Sequence, residues 1–143
     1  MAPNDAALSE ASGCIALRAR RLSRVVNRHY EDALRDAGLT PGQFTLLAAV
    51  AITEPLSPSA LARTLDLDKS TLSRNLRPLL RSKFLVCEAR NAGGQSVRIT
   101  RKGREALHRA LPAWKNAQAK VMALLGADVV SMLDGMIAAT TSA

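Results

Sequence analysis

Aromatic side chains are almost missing from this chain: one Trp, one Tyr and two Phe make up 3% of its 143 residues. That scarcity argues against binding single-stranded nucleic acid, where bases stack on exposed rings. Cysteine is equally sparse. Cys14 and Cys87 lie far apart and outside any metal-ligand spacing, so neither a structural disulfide nor a metal centre is expected. His29 and His108 are the two histidines, too few for a structural zinc site. No apolar run approaches the roughly 18 residues of a membrane span. The opening MAPNDAALSE has neither the basic start nor the apolar core of a secretory signal, so a cytoplasmic protein without membrane contact is expected. There is no Gly-rich phosphate loop, no Ser/His/acid arrangement and no carboxylate pair in an apolar setting. An enzyme is therefore not expected, and no cofactor is called for.

What is present is a folding composition with a misplaced charge. Apolar residues reach 48%, enough for a packed domain. The formal net charge is +8, with a pI near 10.5, which favours a polyanionic partner. Its distribution is the stronger signal. Residues 57–104 hold eleven Lys/Arg against three Asp/Glu, and the rest of the chain holds nine of each. All the excess positive charge thus lies in the middle third, as it would if that third met duplex DNA.

The periodicity is mainly helical. Ile15, Leu22, Val25, Val26 and Leu34 recur at helical spacing between about Ser12 and Ala37, and Gly38 provides a stop. Thr40-Pro41 and Ser57-Pro58 are two successive helix starts, each with a hydroxyl cap and a proline in the first helical position. After a brief turn at Asp66-Leu67, Asp68 can cap a third helix. FLVCEAR (84–90) and SVRIT (96–100) read as short strands joined by the glycine-containing NAGGQ. Thr100 then caps a long helix to about Leu125, with a bend expected at Pro112 and a break at Gly126. A last apolar helix spans about Ala127 to Ala139, and Trp114, Met122, Met132 and Met136 read as packing residues.

The stretch DKSTLSRNLRPLLR (68–81) carries the functional argument. On a helix, Leu72, Leu76, Leu79 and Leu80 share one face, while Ser70, Ser73, Arg74, Arg77 and Arg81 share the other, with Lys69 and Thr71 near its start. Arginine pairs bidentately with guanine, hydroxyls reach base edges, and a threonine methyl meets a thymine methyl, so such a face suits the major groove. Pro78 lies beyond the portion that would enter it and marks the transition to packing. The bland alternative is a solvated helix surface, but the confined charge and the following hairpin favour DNA.

Two helices joined by a tight turn, then a Gly-tipped hairpin, form a winged helix-turn-helix. The runs LTPGQFTLLAAV, LSPSALARTLDLDKSTLSRNLRPLL and RITRKGREAL resemble the multiple-antibiotic-resistance regulator (MarR) family, and the resemblance extends from about Ser12 to Thr140. It implies a mainly α fold with a small β-hairpin wing: a flexible tail at 1–11, a winged helix-turn-helix at 40–100, and dimerisation helices at 12–37 and 101–140. It also implies a homodimeric transcriptional repressor on a palindromic operator, released by a small aromatic acid. By position, Ser70, Thr71, Ser73 and Arg74 would face bases or neighbouring phosphates, Lys69 and Arg77 phosphates, and Arg90 and Arg98 would serve the wing. Ser57 and Ser59, at the start of the preceding helix, complete the expected DNA-facing set. Family wings often carry an Asp-Arg pair near the tip, which NAGGQ lacks, so deep minor-groove reading by the tip is not expected.

Other candidates have two readings. Arg18, His29, Tyr30 and Phe44 could line an effector pocket, or His29 and Tyr30 could simply pack at an interface. Cys14 has Arg18 one turn away, which would suit a thiol-based peroxide sensor. Counted back from Gln43-Phe44, however, the reactive cysteine of such relatives would fall near Ala16. Tyr30 matches one of their partner tyrosines, and Arg20 stands where the other would be. Packing is the expected role of Cys14, and a core position that of Cys87. A winged-helix module that binds protein instead of DNA is the alternative from another class, and it would have little use for charge confined to residues 57–104.

Overall fold

The computed structural model describes residues 12–53 and 55–141, so the tail expected at 1–11 lies outside the described residues. The elements follow one another as α1 (Ile15–Leu34), a 3-10 turn (Arg35–Ala37), α2 (Pro41–Thr53), α3 (Pro58–Thr64), α4 (Lys69–Arg81), β1 (Leu85–Ala89), β2 (Gln95–Ile99), α5 (Arg101–Leu125) and α6 (Val129–Thr141). The expected architecture is present: helices, with one antiparallel hairpin. Helix α1 starts at Ile15 instead of Ser12, because Ser12 and Gly13 form a turn. Helix α6 is shifted to start at Val129, since Ala127 and Asp128 are also a turn. Helix α5 continues as one helix through Pro112.

Local chemistry sets the boundaries. Gly38 ends the 3-10 turn with φ of 69°, a left-handed conformation that glycine adopts without strain. At the start of α2, Thr40 and Gln43 cap each other. Thr40 Oγ1 accepts from the Gln43 amide at 3.2 Å, and Gln43 Oε1 accepts from the Thr40 amide at 3.1 Å. Ser57 caps α3 through the Ala60 amide, Asp68 caps α4 through the Thr71 amide, and Thr100 caps α5 through the Gly103 amide.

The wing pairs Leu85 with Ile99, Cys87 with Val97, and Ala89 with Gln95. Leu56 adds an isolated bridge, its carbonyl accepting from the Val97 amide at 2.7 Å. The wing then meets α5 in a tight joint. Besides capping α5, Thr100 Oγ1 donates to the Lys83 carbonyl at 2.7 Å. A Cβ on Gly103 would fall 2.2 Å from the Phe84 carbonyl, so only glycine lets α5 approach the chain there. Lys102 closes the joint, donating to the Ser82 carbonyl at 3.0 Å and lying 5.4 Å from the centre of the Phe84 ring.

One core joins these pieces. Leu34, Leu46, Leu47, Val50, Leu61, Leu79, Leu85 and Val97 are fully buried, and Phe44 stacks on Trp114 with centroids 5.6 Å apart. Each buried leucine contributes about 1.5–3 kcal/mol by leaving water. The periphery contrasts with this. Leu34 is the buried residue of α1, and α6 has none. Ile15, Leu17, Leu22, Val25, Leu124, Val130, Met132, Leu133, Met136 and Ile137 are exposed in the protomer. Helices α5 and α6 meet at 84°, and among the described residues no single helix is long and apolar enough to cross a membrane.

Candidate nucleic-acid interface

The site is built on the α3–turn–α4 unit. Asp66 makes the turn with φ of 50°, and the Leu67 amide returns to the Ala62 carbonyl at 2.8 Å. Helix α4 then buries Leu72, Leu76 and Leu79 as its periodicity predicts, with Leu80 half-buried beside them. Burying that face turns the opposite one outward. Lys69, Ser70, Arg74 and Arg77 are exposed, while Thr71 and Ser73 are half-buried on the flanks. Pro78 stays within the helix, past the polar portion.

The start of α4 is organised around one carboxylate. Asp68 Oδ1 accepts from the Thr71 amide at 2.7 Å and from Ser70 Oγ at 2.6 Å, and Oδ2 accepts from Thr71 Oγ1 at 2.8 Å. Thr71 Oγ1 in turn accepts from Arg74 Nη2 at 3.3 Å. These hydrogen bonds hold the Asp68 carboxyl far below the usual carboxylate range, the Ser70 hydroxyl contributing most. The sequence marked Asp68 as a helix cap. Its hold on two side chains expected to face DNA was missed, although the signal was the Asp-Lys-Ser-Thr spacing itself.

The remaining DNA-facing candidates sit around this unit. Ser57 is half-buried at the α3 cap and Ser59, two residues on, is exposed. Arg90 is exposed at the base of the wing tip, which turns through Gly93 and Gly94 at φ of 84° and 82°. Arg98 is exposed on β2 and lies 3.8 Å from Glu88, a surface pair worth about 0–1 kcal/mol that a phosphate could replace. A groove of ≈ 780 Å³ runs between α3, α4 and the hairpin, lined by Ser59, Lys69, Ser73, Arg77 and Cys87 over a floor that includes Leu72 and Leu76.

That groove corrects the expectation for Cys87. Its side chain shares the inner face of β1 with Leu85, yet it is exposed, because α3 and α4 do not reach far enough to cover it. Partial desolvation pushes its thiol pKa up, which lowers its reactivity. Cys14 does not pack within the protomer either. It is exposed at the N-cap of α1, two residues after the start of the described chain.

The four effector candidates do not share one cavity. His29 lines a dent of ≈ 300 Å³ between α1 and α5 with Asp32, Asn116 and Lys120. Tyr30 donates instead to Gln118 Oε1 on α5, and burial raises its phenol pKa. Phe44 belongs to the core, 5% exposed against Trp114, and Arg18 is exposed on α1. Phe44 and Tyr30 therefore tie α2 and α1 to α5.

The chain is similar in structure and sequence to the transcriptional regulator MosR of M. tuberculosis. Identity is 32%, covering 91% of this chain and 97% of MosR, with a TM-score of 0.81. The MarR family pattern matches residues 37–94, from the end of the 3-10 turn through α2, α3, α4 and β1 to the wing tip. The chain belongs to the MarR family. MosR has also been solved in complex with DNA, and that structure matches at 32% identity over 91% of this chain and 99% of that one, with a TM-score of 0.79. The fold recurs in the repressor CouR bound to a 23-mer DNA duplex (22% identity, 92% of this chain and 95% of that one, TM-score 0.78). It recurs again in Bordetella bronchiseptica BpsR, whose DNA binding is regulated by 6-hydroxynicotinic acid (19% identity, 92% of this chain and 96% of that one, TM-score 0.80). A sequence comparison with curated proteins gave no match. MarR proteins are winged-helix, DNA-binding transcriptional regulators.

Proposed function

We propose that this MarR protein is a cytoplasmic homodimeric repressor that reads a palindromic operator and leaves it when a small aromatic acid binds. The observation that carries the proposal is the outward face of α4, with Ser70 and Arg74 presented beside Lys69 and Arg77 in the one segment holding the excess charge. In this reading Ser70, Thr71, Ser73 and Arg74 meet the major groove. Ser57, Ser59, Lys69 and Arg77 meet phosphates, and Arg90 and Arg98 follow the backbone beside the wing. The MosR–DNA complex supports this use of the fold, and BpsR supports an aromatic acid as effector. Repression is carried over from CouR.

Dimerisation follows from the unpaired apolar faces of α1 and α6. A two-fold, isologous interface is the simplest cover for them, and it would hold two α4 helices about 34–36 Å apart, one DNA turn. Selection of bound sites from random duplex DNA tests the proposal, and should return an inverted repeat. Arg74→Ala should then cost about 1–3 kcal/mol on that site in a folded protein. Unchanged affinity would remove Arg74 from the reading set.

The exposure of Cys14 keeps a second reading open, a thiol sensor that releases DNA on oxidation. Organic peroxide would then dissociate the wild type and Cys87→Ser but not Cys14→Ser. Equal release of both variants by an aromatic acid favours the first reading.

A further inference from the structure

We infer that Asp68 sets which bases α4 can read, by fixing Ser70 and Thr71 as hydrogen-bond acceptors toward DNA. A hydroxyl has one proton to give and two lone pairs to receive with, whereas a carboxylate only accepts. At 2.6 Å from Asp68 Oδ1, the bonding proton therefore belongs to Ser70 Oγ. At 2.8 Å from Oδ2 it belongs to Thr71 Oγ1. Both protons are thus spent inside the protein. Thr71 Oγ1 also receives an Arg74 N–H, which leaves it one lone pair and its methyl group. Ser70 is exposed and keeps both lone pairs for the outside.

This divides the work of the helix. Phosphate oxygens, guanine O6 and N7, adenine N7 and thymine O4 are all acceptors, and none can bond to Ser70 while Asp68 holds its proton. In the major groove only the amino groups of adenine N6 and cytosine N4 donate. Ser70 is therefore matched to adenine or cytosine, and the remaining Arg74 N–H groups are matched to guanine. The serines outside the cluster differ. Ser57 Oγ accepts from the Ala60 amide at 3.1 Å, and no partner among the described residues takes its proton. Among the described residues neither Ser59 nor Ser73 makes a side-chain bond, so all three hydroxyls keep a proton to donate. Asp68 itself is a positioning residue.

This inference rests on α4 facing the bases of a duplex, and the test separates the two ideas. Sites are selected from random duplex DNA with the wild type, Arg74→Ala, Ser70→Ala and Asp68→Asn. Asparagine is as good a cap as aspartate, so the helix start survives, but its amide nitrogen donates where a carboxylate oxygen accepted. The expected result is that Ser70→Ala relaxes one position, and that this position is adenine or cytosine in the wild-type site. Replacing that base by its analogue without the exocyclic amino group should weaken the wild type about 3- to 10-fold beyond its effect on Ser70→Ala. Asp68→Asn keeps the oxygen that holds the Thr71 amide and Ser70 but replaces Oδ2 by a donor, so it should leave the Ser70 position unchanged and alter only the position next to Thr71, whose hydroxyl regains a proton to donate. A Ser70-dependent position that is guanine or thymine in the wild type overturns the inference. So does a uniform loss across all sequences in Ser70→Ala, which would mark a phosphate contact, or no loss at all. If Arg74→Ala still relaxes a guanine in these cases, the DNA-reading role of α4 stands and only the role of Asp68 falls. A wild type that selects no sequence sinks both.

Discussion

Helices α4 and α6 are each 13 residues long and behave in opposite ways. Four of the α4 residues are Lys or Arg, yet its leucines are seated in the core, with Leu79 only 1% exposed. The α6 sequence VVSMLDGMIAATT has a single charged residue, Asp134, yet none of its residues is buried. The polar helix is finished within the protomer and the apolar one is not. Hydrophobicity alone thus does not decide burial; an apolar stripe needs an opposing surface, and α6 leaves its own core at 84° to α5. What α4 leaves exposed is polar and basic, and what α6 leaves exposed is an apolar face without cover in the protomer.

The sharpest way to break this contrast is to charge the unfinished helix. Leu133→Arg with Ile137→Arg should yield a folded monomer by sedimentation. Because two linked half-sites gain about 100- to 10,000-fold in avidity, its affinity for a full operator should drop by a comparable factor, while single half-site binding is kept. An intact dimer in this variant would refute α6 as interface. Next comes the finished helix. Leu79→Ala should destabilise the fold by about 2–5 kcal/mol in chemical denaturation, because the side chain leaves a cavity in a closed core. Met136→Ala on α6 should instead act through dimer dissociation, with an effect that depends on protein concentration. A concentration-independent loss equal to that of Leu79→Ala would erase the distinction between the two helices.

A smaller effect is expected at the joint between the wing and α5. Thr100→Val removes the cap of α5 and the bond to Lys83, and should cost about 0.5–2 kcal/mol in thermal unfolding. The smallest concerns acid. The Asp68 pKa is lowered on folding, so its contribution is complete above the unfolded-chain value of about 3.9 and is lost as pH falls below it. Asp68→Asn should therefore lower the neutral-pH plateau modestly and converge with the wild type as pH falls below about 4, which flattens the acid limb. A large loss at pH 7 would mean that the carboxylate does more than cap and orient.

These differences also mark what could be read in advance. The caps at Thr40, Ser57, Asp68 and Thr100 were legible because each bonds an amide within three residues of itself. The inward leucines of α4 were legible because a helix repeats every 3.6 residues. Cys87 was misjudged for the opposite reason. Strand alternation places it on the inner face with Leu85, but the space above it depends on how far α3 and α4 extend, which no local pattern encodes. Phe44 was offered as a pocket residue, and the structure stacks it on Trp114, 70 positions away, a contact that no local pattern encodes. Even the wider bonding of Asp68 was within reach, since both hydroxyls follow it within three residues.

The contact at Gly103 has a mechanical consequence. With no side chain there, the first turn of α5 rests directly on the Phe84 carbonyl, and Thr100 and Lys102 bolt it to Lys83 and Ser82. These are the residues by which α4 runs into β1. Helix α5 spans 25 residues, so it is a rod of roughly 37 Å, and a tilt of about 5° displaces its far end by about 3 Å. Read in reverse, a shift of that size where α5 meets α6 swings the near end by the same angle, and the Gly103 contact passes the rotation to the reading head. Spin labels at Leu124 and Arg81 should accordingly keep one separation in free and DNA-bound protein, while the distance between the two Arg81 labels of a dimer changes. A dimer of this kind would work as a pair of calipers, its jaws set from the handles.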